Sequence, residues 1–189
     1  MAPHETSATV SDSPVTATDF EELQQSVLWT EADAAALHRA ADILGPQTEA
    51  ILDVWYGFVG SHAHLVKEFA GADGQPDAAY LAGVRERFGQ WIVDLCRSDH
   101  GADWLAYQEE IGLRHTSKKN VTDGVNSPST HVPIRHLIAL IVPITVTIRP
   151  FLERGESDAR QVEAMYQAWF KAVVQSVALW ARPYCPTVW

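Results

Sequence analysis

The sequence predicts an all-α fold, and three observations support this prediction. From Asp19 onward, large apolar residues recur at intervals of three and four, and turn residues separate these periodic blocks. Only one segment would also suit a strand, and a strand without a partner forms no sheet. The 189 residues, 47% of them hydrophobic, are enough for one well-packed domain.

The first two long helices begin at recognisable signals. Thr30 to Asp33 form a capping box, in which a hydroxyl and a carboxylate bond free backbone N–H groups. The helix that follows is predicted to end at Leu44, and a second helix is predicted to begin at Pro46. The apolar face of this second helix is unusually wide, which predicts a central place in the core. That face carries Ile51, Leu52, Trp55, Tyr56, Phe58 and Val59.

Two further helices follow a break at residues 71–76. The first carries an apolar stripe of Tyr80, Val84, Phe88, Trp91 or Ile92, and Leu95. The second, from Asp103, places Trp104, Tyr107, Ile111 and His115 at spacings of three, four and four. His115 is therefore predicted to point toward the core. The neighbouring pair Glu109 and Glu110 is predicted to be a solvated surface rather than an acid/base pair.

The last third of the chain contains the ambiguous segment. Residues 133–152 are rich in Ile, Val and Thr, so periodicity leaves both helix and strand open. From Val162 to Trp180 the spacing predicts a long amphipathic helix, started by Ser157 and stopped before Pro183.

Charge and composition exclude several classes of function. A net charge of −10 disfavours binding to nucleic acid and to anionic membrane surfaces. The longest apolar stretch, Leu137 to Ile148, is shorter than the roughly 18 to 20 residues of a membrane-spanning helix. Cys96 and Cys185 are too few for a disulfide scaffold, so a cytoplasmic location is expected. Residues 1–18 lack the pattern of a secretory signal and are expected to form an arm.

His115 is the residue to which the pattern gives a possible chemical role. One interpretation is a core histidine bonded to a backbone carbonyl, which periodicity alone favours. The other is an axial ligand of haem iron, since a macrocycle needs only one protein donor whereas a bare metal ion usually needs three or four. Both interpretations remain open at this point.

Four stretches together resemble the protoglobins, single-domain relatives of the globin-coupled sensors. The resemblance runs in register from Asp19 to Tyr184. It is carried by ILDVWYGFVGSH at 51–62, VRERF at 84–88 with Trp91 and Ile92, IGLRH at 111–115 with Lys118 to Asn120, and MYQAWFK at 165–171.

The resemblance implies a globin fold with an extra N-terminal helix, here Asp19 to about Val27. It implies an N-terminal arm, residues 1–18, across the haem edge, and a globin domain of residues 19–189. It favours a helix for residues 133–152. It also implies a homodimer formed by the last two long helices, around residues 133–152 and 162–180.

The resemblance further implies haem b, with His115 as the proximal iron ligand. Tyr56 matches the family's distal tyrosine and could donate a hydrogen bond to a bound gas, the alternative being a core tyrosine whose hydroxyl points elsewhere. Arg87 and the pair Lys118 and Lys119 are candidate partners of the haem carboxylates, or else a solvated basic cluster. The remaining expected haem contacts are apolar: Trp55, Phe69, Val84, Phe88, Ile111, Leu137, Leu140 and Ile144.

The function implied is reversible binding of O2, CO or NO at a five-coordinate ferrous haem. One alternative is a haem redox enzyme, such as an NO dioxygenase, which would need an external reductase because no flavin or nicotinamide domain fits in the chain. An open haem site could also support non-native carbene transfer. The other alternative is a haem-free helical interaction module.

Overall fold

The computed structural model describes residues 12–71, 74–97, 99–118, 124–125 and 127–189, and the prediction of an all-α fold is confirmed for them. Three 3-10 turns lie at Gly45–Gln47, Lys67–Phe69 and Arg182–Tyr184. The α-helices are α1 (Ala17–Ser26), α2 (Glu31–Leu44), α3 (Thr48–Gly60), α4 (Ala63–Val66), α5 (Ala78–Arg97), α6 (Ala102–His115), α7 (Ile134–Val146), α8 (Arg149–Gly155) and α9 (Ala159–Ala181).

The helices begin where side chains satisfy free backbone N–H groups. Thr30 and Asp33 form the predicted capping box of α2, and Thr16 and Asp19 form a second one before α1. Helix α1 therefore begins inside the predicted arm. Residues 1–11 of that arm lie outside the described residues, and the division at residue 18 stays a prediction.

Two helix starts differ from the sequence prediction. The chain at Pro46 first makes a 3-10 turn, and α3 begins at Thr48. Helix α9 is capped by Asp158 rather than Ser157, because the Asp158 carboxylate accepts a 2.8 Å hydrogen bond from the backbone N–H of Arg160. In each case the prediction missed the start by two residues or fewer.

The ambiguous segment, residues 133–152, is helical and is divided into α7 and α8. The turn at Thr147 and Ile148 separates the two helices. Near this turn, the Ile144 carbonyl accepts a hydrogen bond from the indole N–H of Trp169, at 3.3 Å. A side chain of α9 thus satisfies a polar group that the helix end would otherwise leave free.

By length and composition alone, the segment Ile134–Gly155 could cross a membrane. The core helix of a soluble protein also passes this test of length and composition. Here α7 and α8 pack against α9, and Leu137, Ile148, Phe151 and Leu152 are buried in the interior.

Helix α9 is the centre of the core. It packs against α2, α6, α7 and α8. Met165 and Trp169 are fully buried on it, and Val173 is nearly so. The ammonium of Lys171, on the same helix, lies 2.9 Å from the Asp33 carboxylate and 2.7 Å from the Leu28 carbonyl oxygen. This ion pair ties α9 to the start of α2.

The prediction that Glu109 and Glu110 form a solvated surface is wrong. Both are buried on α6, with 5% and 2% of their surfaces exposed. The Glu109 carboxylate accepts hydrogen bonds from Nε and Nη2 of Arg182, and a Glu110 carboxylate oxygen lies 3.1 Å from Nη2 of Arg114. Because Arg182 comes from the turn after α9, a distant part of the chain supplies the charge that makes this burial tolerable.

Helix α1 is held by aromatic contacts. The buried ring of Phe20 lies edge-on to His100, at 6.1 Å between centroids, and Trp29 and Trp104 contact the same imidazole at 5.7 and 5.0 Å. Burial among these rings lowers the pKa of His100. The neutral imidazole therefore joins α1 to the start of α6.

Candidate functional site

A large, mostly apolar cavity lies between α3, α5, α6, α7 and α9. The centre of a water molecule can move through about 270 Å³ of it, whereas about 10–15 Å³ on this measure is enough to hold one water. The cavity is therefore large enough to be a ligand site rather than a packing defect.

All eleven residues that the sequence assigns to the site line this cavity. They come from four helices and one 3-10 turn, so the fold brings together positions up to 89 residues apart in the chain. They are Trp55, Tyr56, Phe69, Val84, Arg87, Phe88, Ile111, His115, Leu137, Leu140 and Ile144.

His115 is the last residue of α6, and the helix itself selects the tautomer of its neutral imidazole. Its Nδ1 lies 2.7 Å from the carbonyl oxygen of Ile111, one turn earlier. Since a carbonyl oxygen can only accept, Nδ1 carries the proton and donates it. In the neutral imidazole the lone pair that can bind a metal is then on Nε2. The two interpretations of His115 are thus compatible, because the bond to a backbone carbonyl selects the tautomer that a metal ligand needs.

The ring and backbone of His115 are held by the end of the chain. Trp180 stacks on the imidazole, with 5.8 Å between centroids and 18° between planes. The Tyr184 hydroxyl lies 2.8 Å from the His115 carbonyl oxygen and 2.5 Å from that of Val132. Burial raises the pKa of Tyr184, so this hydroxyl keeps its proton as a donor. The C-terminal turn therefore fixes the end of α6 in position.

Tyr56 supplies a different polar group to the cavity. Its hydroxyl oxygen is buried and has no hydrogen-bond partner among the described residues. Burial raises the pKa of Tyr56 to about 12, so the hydroxyl stays protonated at neutral pH. A buried donor without a partner costs free energy, which makes it a candidate contact for a ligand. An ordinary core tyrosine would donate its hydroxyl proton to an acceptor such as a backbone carbonyl, but no described backbone group accepts from Tyr56.

Aromatic rings form a continuous wall of the cavity. Trp55 contacts Phe88 at 5.4 Å between centroids, Phe88 contacts Trp91 at 5.6 Å, and Trp91 contacts Trp180 at 5.3 Å. Because Trp180 stacks on His115, this wall joins the α3 side of the cavity to the α6 side. Large aromatic faces of this kind suit a flat, apolar ligand.

Two cavity residues that the sequence did not assign carry a buried polar atom without a described partner. Trp91 Nε1 and His136 Nε2 are buried without a hydrogen-bond partner among the described residues. The position of Trp91 three residues after Phe88, on the same stripe, was a usable signal. His136 directly precedes the assigned Leu137, but helical spacing places adjacent residues on different faces, so its place in the wall depends on tertiary packing.

Charged and polar residues also line the cavity. Glu68, Arg87, Arg114 and His136 are among them. One guanidinium nitrogen of Arg87 donates to the Val125 carbonyl oxygen at 3.3 Å. The other proposed basic partners do not line the cavity in the described part of the chain: Lys118 is exposed, and Lys119 lies outside the described residues.

The donor set suits a macrocyclic metal complex better than a bare metal ion. Among the residues described, no three His, Cys, Asp or Glu side chains lie close enough to share an ion. A haem brings four nitrogen ligands of its own, so one imidazole, such as that of His115, would be enough to hold its iron. The large apolar volume, the His115 imidazole and the Tyr56 hydroxyl, which has no partner among the described residues, all fit such a group.

A protein-family model described as Protoglobin matches residues 16–188. No curated protein matches the chain.

Proposed function

The chain belongs to the protoglobin family and is a haem-based, gas-binding globin, and we propose that it binds O2, CO and NO reversibly at a five-coordinate ferrous haem b. His115 is the proposed iron ligand, and Tyr56 is the proposed polar contact of the gas. One observation supports this assignment most directly. One mostly apolar cavity is lined both by the His115 imidazole, with its lone pair on Nε2, and by the Tyr56 hydroxyl, which has no partner among the described residues.

When bound, the haem would supply an iron that can bind a diatomic gas. His115 would hold that iron, and the orientation of its ring is set by the Ile111 carbonyl and by the Trp180 ring. Tyr56 keeps its proton and holds it ready for donation into the cavity. The apolar wall excludes water, which strengthens that hydrogen bond because the local dielectric is low. We assign the other nine residues of the predicted site to the haem contacts.

An absorption spectrum of the purified protein tests this function. We expect a Soret band at one haem per chain, and a shift of that band when CO is added to the reduced protein. The alternative of a haem-free interaction module predicts no Soret band even after haem is added, and that result would overturn the proposal. Steady NO consumption under O2 with an added reductase would instead indicate a redox enzyme, whereas stoichiometric oxidation without turnover supports a gas binder.

We further propose that the protein is a cytoplasmic homodimer that associates through α7 and α9. Ile138, Val142 and Val146 are each more than half exposed on α7, at the four-residue spacing that places them on one face. Phe170 is a large exposed apolar residue of α9. An exposed apolar stripe of this length is typical of an interface between subunits.

The substitution Val142→Arg is expected to convert the dimer to a monomer. An arginine buried without a partner costs several kcal/mol, so association should weaken by at least about 100-fold. Sedimentation equilibrium measures the change. Val54→Arg is the matched control, because Val54 is also an exposed valine but lies on α3. A Val142→Arg variant that remains dimeric would contradict the proposed interface.

A further inference from the structure

Arg85 on α5 is held by two carboxylates of α3. Its Nη2 lies 2.7 Å from Oε2 of Glu49 and 2.8 Å from Oδ1 of Asp53, and its Nε lies 3.1 Å from the same Glu49 oxygen. Nη2 also donates to the Glu49 backbone carbonyl at 3.1 Å. Glu49 and Asp53 are one helical turn apart, so both reach the guanidinium from one side.

The same guanidinium lies over the ring of Tyr56, with 5.7 Å from Cζ to the ring centroid. Tyr56 follows Asp53 by three residues and therefore continues the face of α3 that meets Arg85. A cation over an aromatic face is attracted by the ring quadrupole. Its positive charge also favours the ionised phenol, and so it opposes the effect of burial on the pKa of Tyr56.

We propose that Arg85 is a positioning residue for Tyr56: Glu49 and Asp53 fix its guanidinium over the tyrosine ring, which holds the ring in place and polarises the hydroxyl toward the cavity. This inference rests on the proposed role of Tyr56 in gas binding. Arg85 itself does not line the cavity, so it acts through Tyr56 alone.

The exposure of the carboxylates argues against a purely stabilising role for this cluster. The Glu49 and Asp53 side chains are 80% and 74% exposed, whereas that of Arg85 is 30% exposed. Ion pairs with exposed partners contribute little to stability, about 0–1 kcal/mol at the median. The two carboxylates do, however, hold the planar guanidinium in a defined orientation. A lysine ammonium is not planar and could not be oriented in this way.

Arg85→Gln and Arg85→Lys test the proposal, with Arg97→Gln as the matched control. Arg97 lies on the same helix and has an exposed ion pair with Asp42, but it makes no contact with Tyr56 in the described structure. We expect Arg85→Gln to raise the O2 dissociation rate about two- to five-fold, the range that a cation–π contact of this kind supports. It should also move the C–O stretching band of the CO-bound protein to higher frequency. Both values for Arg85→Lys should lie between those of the parent protein and those of Arg85→Gln. Arg97→Gln should change neither the O2 dissociation rate nor the C–O stretching frequency.

A third readout does not depend on the haem. In apoprotein labelled with 13C at the tyrosine Cζ atoms, the Tyr56 resonance, assigned by its loss in Tyr56→Phe, should move in Arg85→Gln and not in Arg97→Gln. If this resonance and the O2 dissociation rate both stay unchanged in Arg85→Gln, the proposal is wrong. If Tyr56→Phe itself leaves O2 binding unchanged, the role of Tyr56 in the proposed function fails, while the NMR readout still decides whether Arg85 positions that ring.

Discussion

Replacing His115 with alanine is expected to abolish stable haem retention. In the proposed site His115 supplies the one bond from the protein to iron, and its ring is pre-oriented by the Ile111 carbonyl and by Trp180. Loss of an outer partner of a metal ligand typically costs 10–100-fold in affinity, so loss of the ligand itself should cost more than about 100-fold. The Soret absorbance per chain, before and after gel filtration with apomyoglobin as a haem acceptor, measures this loss.

Two controls separate coordination from folding. His131→Ala removes an exposed histidine and should leave haem binding intact. His115→Gly supplemented with free imidazole should regain part of the haem, because the small molecule can occupy the space of the missing ring. An unchanged ferrous spectrum in His115→Ala would show that another residue binds the iron.

The substitution Tyr56→Phe is expected to raise the O2 dissociation rate by about 10- to 100-fold. A hydrogen bond in a site of low dielectric to a ligand with partial negative charge contributes about 1.5–3 kcal/mol. The variant removes only the hydroxyl, whose oxygen lacks a partner within the described structure, so the fold should lose no internal bond. Thermal stability should therefore be equal to or higher than that of the parent protein.

The contrast between two gases makes this prediction specific. CO is less polar than bound O2, so its dissociation rate should change far less; equal changes in both rates would refute the hydrogen-bond role. Tyr80→Phe is the matched control, because Tyr80 also lines the cavity, but its hydroxyl is not among the buried atoms without a partner. Stopped-flow ligand replacement measures both rates in all three proteins.

Local signals in the sequence were sufficient to predict most of the helices and the direction of His115. The capping box at Thr30 and the apolar spacing from Trp104 to His115 involve residues within one or a few turns, so short-range physics decides them. The assignment of Tyr56 and of the apolar wall residues to the site came from the resemblance to protoglobins. In the structure they converge on one cavity.

Features that depend on distant segments were not predictable in this way. Glu109 was predicted to be solvated because its partner Arg182 lies 73 residues later in the sequence, where no local pattern indicates the ion pair. The break between α7 and α8 is different, because Pro150 at the start of α8 is a local signal that the prediction did not use. The wall position of His136 is set by helix packing, which periodicity alone does not determine, whereas Trp91 lies on the same stripe as Phe88 and could have been predicted.

The hydrogen bond from His115 to its own helix has a consequence for chemistry. Histidine ligands that donate to a carboxylate become more basic and push more electron density onto the metal. The partner of Nδ1 is instead the uncharged peptide oxygen of Ile111. As the proposed iron ligand, His115 would therefore be a donor of modest strength. Such a donor suits iron that holds and releases a gas molecule unchanged, whereas breaking an O–O bond calls for a stronger donor, as the thiolate of the P450 enzymes provides.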